Sequence, residues 1–285
     1  MRYKKCFLIA PSGNIILKNL SLAKERLKIL GFNEIMYRKD ILSKCLSYAG
    51  SHERRIQEIN EAYSSDADVI FAVLGGQGAI HTIDKIDYDA IKNSKKIIVG
   101  LRDKTIILNS IFKNTKTRCL HGPNIGKIEN LNKKTVDFLN KAINKENYKI
   151  LFKNEDILKK GVAKAKIMGG NIELLGRSLG THFEIETDNC ILFLEDYKMK
   201  SWRVFDILWQ LKISGKFDKV KGIILGNFLE CEENINDYLK EFFKDFTIPV
   251  IFNQEIGHSE PNITIPLGEN CIIDTNNLKW SILFN

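Results

Sequence analysis

The sequence has no two cysteines close enough to act together. The six lie at positions 6, 45, 119, 190, 231 and 271, so there is no CxxC metal or redox pair. Scattered this widely along 285 residues, they read as reduced core residues, which points to the cytoplasm. Long hydrophobic runs are also missing. Nothing approaches the ~18 apolar residues of a membrane-crossing helix. The opening "MRYKKCFLIAPSG" is basic and then apolar, but its apolar run, residues 6–10, is too short for a signal-peptide core. Neither an internal repeat nor a low-complexity tract is present. A zinc-ribbon, a membrane-spanning or a repeat-array reading is therefore excluded at the outset.

What remains is ordinary for a soluble globular protein, with 44% hydrophobic and 27% charged residues. The net charge of +8 invites a nucleic-acid partner. Its distribution argues against one. Residues 131–166 hold ten lysines and four acids, and that local excess supplies most of the total. The segment has few aromatics and no nucleic-acid signature, so it reads as a solvated helix and linker.

The first half alternates. Residues 5–10 form a buried strand; "LSLAKERLKILG" follows as a helix with Leu20, Ala23, Leu27 and Leu30 on one face and Gly31 as its stop. "NEIMY" is a second strand. Ser51 caps a helix whose inner face is Ile56, Ile59 and Tyr63. "DVIFAVL" and "KKIIVG" are further strands. Apolar strands alternating with helices predict a parallel sheet covered on both faces, with ligands at the strands' carboxyl ends. "APSG", "GGQG" and "GLRD" sit at such ends. From about residue 165 the strands shorten and glycines thicken, and only 202–214 and about 235–245 look helical. The predicted fold is thus α/β: a Rossmann- or flavodoxin-like domain over 1–139, a Lys-rich linker over 140–164, and a smaller β-rich domain over 165–285.

Three constellations carry possible chemistry. "VLGGQG" (Gly75, Gly76, Gln77) follows a strand but lacks the GxGxxG spacing. It is either a tight turn or a place where backbone N–H groups approach a ligand, as glycine permits. "KKIIVGLRDKTIIL" is a strand turning sharply into a helix opened by Asp103, the device that presents a catalytic nucleophile. Its apex is Arg102, which cannot act as one. Glu195, closing "CILFLED", and His258, between Gly257 and Pro261, are unremarkable alone. With the elbow they suggest a triad in chain order nucleophile, acid, histidine, in which histidine takes a proton and the carboxylate orients it.

Several long motifs then recur in one order. "IAPSG", "AGSHERRIQEINEAYSSDADVIFAVLGGQG", "KIDYDAIKNSKKIIVGLRDKT", "CLHGPN", "GGNIELLGRSLGTHFE", "GKFDKVKGIILGNF" and "IGHSEPNITIPLG" resemble those of the LD-carboxypeptidases, serine peptidase family S66. The resemblance runs nearly end to end and is greatest to the microcin C immunity branch. It implies an N-terminal α/β domain with a smaller β-rich one, usually in a homodimer. It also implies amide hydrolysis with no metal or cofactor. The substrates it implies are small: murein L,D-peptides or a peptidyl-nucleotide conjugate. Carried over position by position, the family acid falls on Glu195 and its histidine on His258. The oxyanion backbone falls on Gly76 and Asp103, and the nucleophilic serine on Arg102.

Asp103 and Thr105 hold the register, and Ser110 lies two helical turns on. Leu74 stands where many classical members have arginine, and Met199, Phe205 and Asp206 replace an acid and an Asp-Arg pair. Hydrolysis by the inherited mechanism is therefore expected to be impaired. Three readings stay open for the arginine: a plug paired with Glu195, a holder of a ligand's carboxylate or phosphate, or a tolerated replacement. Water activated by His258 and Glu195 is the alternative route to hydrolysis.

Overall fold

The structure, a computed structural model, describes residues 4–127, 132–232 and 234–284. The first half runs β1 (Lys5–Ile9), α1 (Leu17–Ile29), β2 (Glu34–Tyr37), α2 (His52–Ser64), β3 (Val69–Ala72), a 3-10 helix (Ala79–Lys85), α3 (Tyr88–Asn93), β4 (Ile97–Gly100), α4 (Lys104–Thr115) and β5 (Cys119–His121). Then come α5 (Lys133–Asn144), β6 (Tyr148–Leu151), a 3-10 turn (Asn154–Asp156), β7 (Ile157–Lys159), β8 (Val162–Asn171) and α6 (Ile172–Ser178). The chain ends with β9 (Cys190–Tyr197), α7 (Ser201–Ile213), β10 (Gly222–Leu229), α8 (Ile235–Phe243), β11 (Val250–Gln254), β12 (Ile265–Pro266), β13 (Asn270–Asp274) and β14 (Lys279–Leu283).

Two sheets result. One has the order β12-β5-β4-β3-β1-β2, the other β6-β14-β13-β8-β9-β10-β11-β7. In the first, β1 to β5 are all parallel, and only β12 runs antiparallel, on β5. Helices cover both faces, so β3 and β4 are buried at every residue and read as unbroken apolar runs. In the second sheet β8, β9, β10 and β11 are parallel, flanked by antiparallel β13, β14 and β6 on one side and β7 on the other. The fold class read from the sequence is the one observed, a parallel α/β layer with a second, β-rich sheet.

Three local differences are instructive. Residues 140–164, read as a linker, contain the end of α5, all of β6 and β7 and the start of β8, and these strands pair in the second sheet. Their lysines alternate with buried residues such as Tyr148 and Ile150, so composition masked a strand period. The helix α6 was not foreseen. It is short and buried nearly all round, which leaves no amphipathic period to detect.

The inner face of α2 differs too. Ile59 and Tyr63 are buried as expected, but Ile56 is only half-buried, and Arg54, Arg55 and Glu58 lie inside. Glu58 accepts Arg54 Nη2 at 2.6 Å and the Ala10 N–H at 2.7 Å, and burial pushes its carboxyl up to about 7. Arg55 Nη1 donates to Gly78 O (2.7 Å) and to Pro11 O (3.2 Å). These charged groups sit inside because they satisfy backbone at the ends of β1 and β3, where no strand partner remains. One helix thereby clamps both the "PSG" and the "GGQG" turns.

Candidate active site at the meeting of two sheets

The elbow is present. After Gly100 the chain turns through Leu101 and Arg102, and α4 begins at Lys104. Arg102 takes φ 59°, the left-handed region, which costs a non-glycine residue about 1–2 kcal/mol. Its carbonyl accepts the Thr105 N–H at 2.7 Å, which closes the turn. A Cβ on Gly100 would stand 2.7 Å from Lys104 Cβ, so the strand must end in glycine. Asp103 is buried, and its carboxylate accepts the Ala79 N–H at 2.8 Å, tying the elbow to the helix behind the glycine turn. Ser110 is buried on another face, 2.6 Å from the Tyr88 hydroxyl, and takes no part in the apex.

Lys104 is the residue that sequence reasoning missed. It is fully buried and points under the glycine turn, donating to Gly75 O (2.9 Å) and Ser12 Oγ (3.2 Å). Burial lowers its pKa from 10.5 to about 8. The available signal was a lysine heading the apolar run "TIIL".

The glycine turn is built for close approach. Gly76 has φ +98°, and a Cβ there would meet Gly13 Cα and N at 2.7 Å. Gly75 lies along the Arg102 stem, its ideal Cβ 3.6 Å from Arg102 Cδ. Gln77 is exposed, and its amide donates to Ser47 Oγ at 2.9 Å. The turn and the elbow are therefore in contact, as the spacing of their motifs could not reveal.

Glu195 and His258 meet although 63 residues separate them. Glu195 is buried near the end of β9, and His258 lies in the loop after β11. His258 Nδ1 is 2.9 Å from Glu195 Oε2. Gly257 makes this possible: at φ +92° its ideal Cβ would lie 2.2 Å from that same oxygen. The imidazole stacks on Tyr197, centroids 4.7 Å apart and planes at 11°. Burial alone would raise the Glu195 carboxyl, but the hydrogen bond and charge of His258 outweigh it, and the net shift is downward. The carboxylate thus stays ionised beside the ring. His121 approaches the other oxygen at 3.6 Å, too far for a hydrogen bond, and burial lowers its pKa to about 4, so it is neutral.

Asp196, next along β9, turns to other partners. It accepts Asn171 Nδ2 (3.0 Å), the Glu173 N–H (3.2 Å) and the Tyr197 N–H (2.7 Å). Burial and the neighbouring Glu195 push it up to about 7. Two bonds seam the sheets here: the Asn171 N–H donates to Thr105 Oγ1 (3.1 Å), and Asn109 Nδ2 donates to Gly169 O (3.0 Å). The elbow helix is thereby fixed to β8, the strand beside β9.

Arg102 does not pair with Glu195. Its Nη2 lies 3.9 Å from Glu173 Oε2, on α6. Glu173 also receives Arg177 at 2.6 Å and Arg203 at 3.3 Å. Of the residues that depart from the resembling motifs, Met199 is buried, Leu74 and Phe205 are half-buried, and Asp206 is exposed.

Comparison with known proteins bears on this arrangement. The profile of the LD-carboxypeptidase N-terminal domain matches residues 7–122, and that of the LD-carboxypeptidase C-terminal domain matches residues 164–273. A probable murein peptide carboxypeptidase of Bacillus subtilis is 29% identical over 289 residues, covering 94% of this chain and 88% of its own. The microcin C7 self-immunity protein MccF of Escherichia coli is 29% identical, over 82% of this chain and 79% of its own. A structure of MccF in complex with aspartyl sulfamoyl adenosine superposes with a TM-score of 0.89 at 25% identity, covering 99% of this chain and 96% of that one. The two profiles together span the elbow, the glycine turn, Glu195 and His258, and this chain belongs to the LD-carboxypeptidase family, peptidase S66.

Proposed function

We propose that this protein is a family member that binds a small peptide or peptidyl-nucleotide ligand at the elbow and hydrolyses it poorly or not at all. The observation that carries the reading is the residue at the elbow apex. Arg102 holds the strained φ of 59° there, and neither a serine nor a cysteine stands beside it. Losing a triad serine costs roughly six orders of magnitude in turnover. Binding with an oxyanion hole retains about 10³–10⁴ over water, too little for an amide bond. The surrounding residues support a retained pocket: Gly75 and Gly76 in their turn, Asp103 at the helix start, and Glu195 bonded to His258. MccF has been crystallised with aspartyl sulfamoyl adenosine, which motivates that ligand class here. The resemblance also carries a cytoplasmic homodimer, whose mass sedimentation velocity measures.

Calorimetry with an L,D-linked tetrapeptide and with aspartyl sulfamoyl adenosine is the direct test, alongside mass spectrometry for products. Binding without turnover is expected; no heat for either compound at millimolar concentration removes the reading. Arg102→Ser is expected to restore cleavage by at least about 10³-fold, a reading supported by the Glu195–His258 bond and by the glycine turn lying against the elbow. No gain means that the pocket has lost more than its nucleophile.

The intact Glu195–His258 pair favours one other reading, hydrolysis by a water molecule that His258 activates. Product release by the unmodified protein, abolished in His258→Ala, supports it. The same trace from both proteins assigns the product to a contaminant.

A further inference from the structure

Glu173 is one carboxylate among three guanidiniums. Arg177 Nη2 and Arg203 Nη2 reach its Oε1 at 2.6 and 3.3 Å, and Arg102 Nη2 lies 3.9 Å from Oε2. The three arginines come from the elbow, the last turn of α6 and the first turn of α7. Three positive charges therefore face one negative. Asp196, which accepts the Glu173 N–H, is buried with its oxygens committed to Asn171, Tyr197 and that backbone. With a pKa of about 7 it carries only part of a charge near neutrality.

The pairing satisfies Glu173 but not the arginines. Each guanidinium has five N–H donors, and a carboxylate accepts about four bonds. Arg102 makes no hydrogen bond to any described side chain, and its Nε is buried without a partner. A buried donor without a partner is destabilising, and an acceptor brought by a ligand relieves it. Arg177 and Arg203 are each 52% exposed, so their remaining donors are open to solute. One flank of the cluster is the glycine turn itself, since the Arg102 stem lies on Gly75.

We propose that Arg102, Arg177 and Arg203, gathered by Glu173, form a subsite for an anionic group, a carboxylate or a phosphate, of the ligand that occupies this site. The proposal rests on the ligand-binding reading above and assigns it a chemistry. Guanidinium forks match both anions in bidentate fashion. Glu173 acts as the organiser, bonding Arg177 and Arg203 and drawing Arg102 to its other oxygen by charge before the anion arrives. The elbow arginine then serves as part of a recognition surface where the family resemblance implies a nucleophile.

The test is a titration of the full chain followed at the arginine Nε–H NMR signals. The probes are inorganic phosphate, adenosine monophosphate against adenosine, and N-acetyl-D-alanine against its amide. The charged member of at least one pair is expected to bind at least about tenfold tighter, the worth of one charge-assisted hydrogen bond. The preferred pair identifies the source as phosphate or carboxylate. Phosphate is expected to move the Arg102, Arg177 and Arg203 signals, and less so at about 1 M salt, where screening reaches ~3 Å. Arg177→Gln and Arg203→Gln, both on the surface, are each expected to weaken phosphate several-fold. Equal binding of charged and neutral probes overturns the subsite and leaves the ligand-binding reading standing. Phosphate shifts that persist unchanged in the Arg177→Gln/Arg203→Gln protein also overturn it. Phosphate seen at the three arginines with no conjugate bound keeps the subsite and removes the broader reading.

Discussion

Lys104 is a lysine buried completely beneath the elbow. A lysine with no exposed surface and no carboxylate within bonding distance carries a desolvation cost that its bonds to Gly75 O and Ser12 Oγ only partly offset. Its pKa falls from 10.5 to about 8 because burial disfavours the charged form. Below pH 8 both folded and unfolded chains hold the proton, and the full cost is present. Between about 8 and 10.5 the unfolded chain binds more protons than the folded one, so stability rises with pH through this window. The separation is worth about 3 kcal/mol at most. Lys104→Met is therefore expected to stabilise the protein by about 1–3 kcal/mol at pH 7 and to abolish the alkaline rise. Urea unfolding at pH 6, 8 and 10 measures both; a variant less stable at every pH contradicts the argument. Arg102, Glu195 and His258 were legible beforehand because each sits in a long ordered motif. Lys104 and Glu173 were not, since a lone lysine in an apolar run and a glutamate on an unforeseen helix have no spacing to betray them.

At the scale of elements, loops do the positioning. The loop after β11 delivers His258 to β9, and Gly257 is the residue on which that delivery turns. Gly257→Ala places a methyl group where Glu195 Oε2 lies and demands φ +92° of an L-residue. The expected result is a loss of at least about 1 kcal/mol in stability, with the Glu195–His258 bond broken. His258 ring chemical shifts report the bond, and an unchanged spectrum would show that the loop accommodates the methyl elsewhere. β1, β3 and β4 were readable in advance because both faces of the first sheet are covered there, so each became an apolar run; β5, three residues long, was not. The buried arginines of α2 were not readable. Amphipathic reading assigns charge to water, and here charge turns inward to satisfy turn carbonyls that no strand reaches.

For the molecule as a whole, the two sheets are interlocked. β12 is drawn from between β11 and β13, both members of the second sheet, yet it pairs with β5 of the first. The bonds from Thr105 and Asn109 to β8 add a second seam. Unfolding is therefore expected to be one cooperative transition despite the two family profiles. Tryptophan fluorescence, which reports residues 202, 209 and 280 of the second half, should coincide with far-UV circular dichroism in urea. Two separated midpoints would show that the sheets melt apart. A ribosome meets the same interlock in sequence order. The first five strands emerge together, but β5 keeps an open edge until residues 265–266 are made, more than 140 positions later by the separation of His121 from Ile265. An open, buried-type edge invites pairing with a foreign strand. The nascent chain thus carries this aggregation hazard across that whole interval, and the two residues of β12 that end it complete the loop holding His258 in the same step.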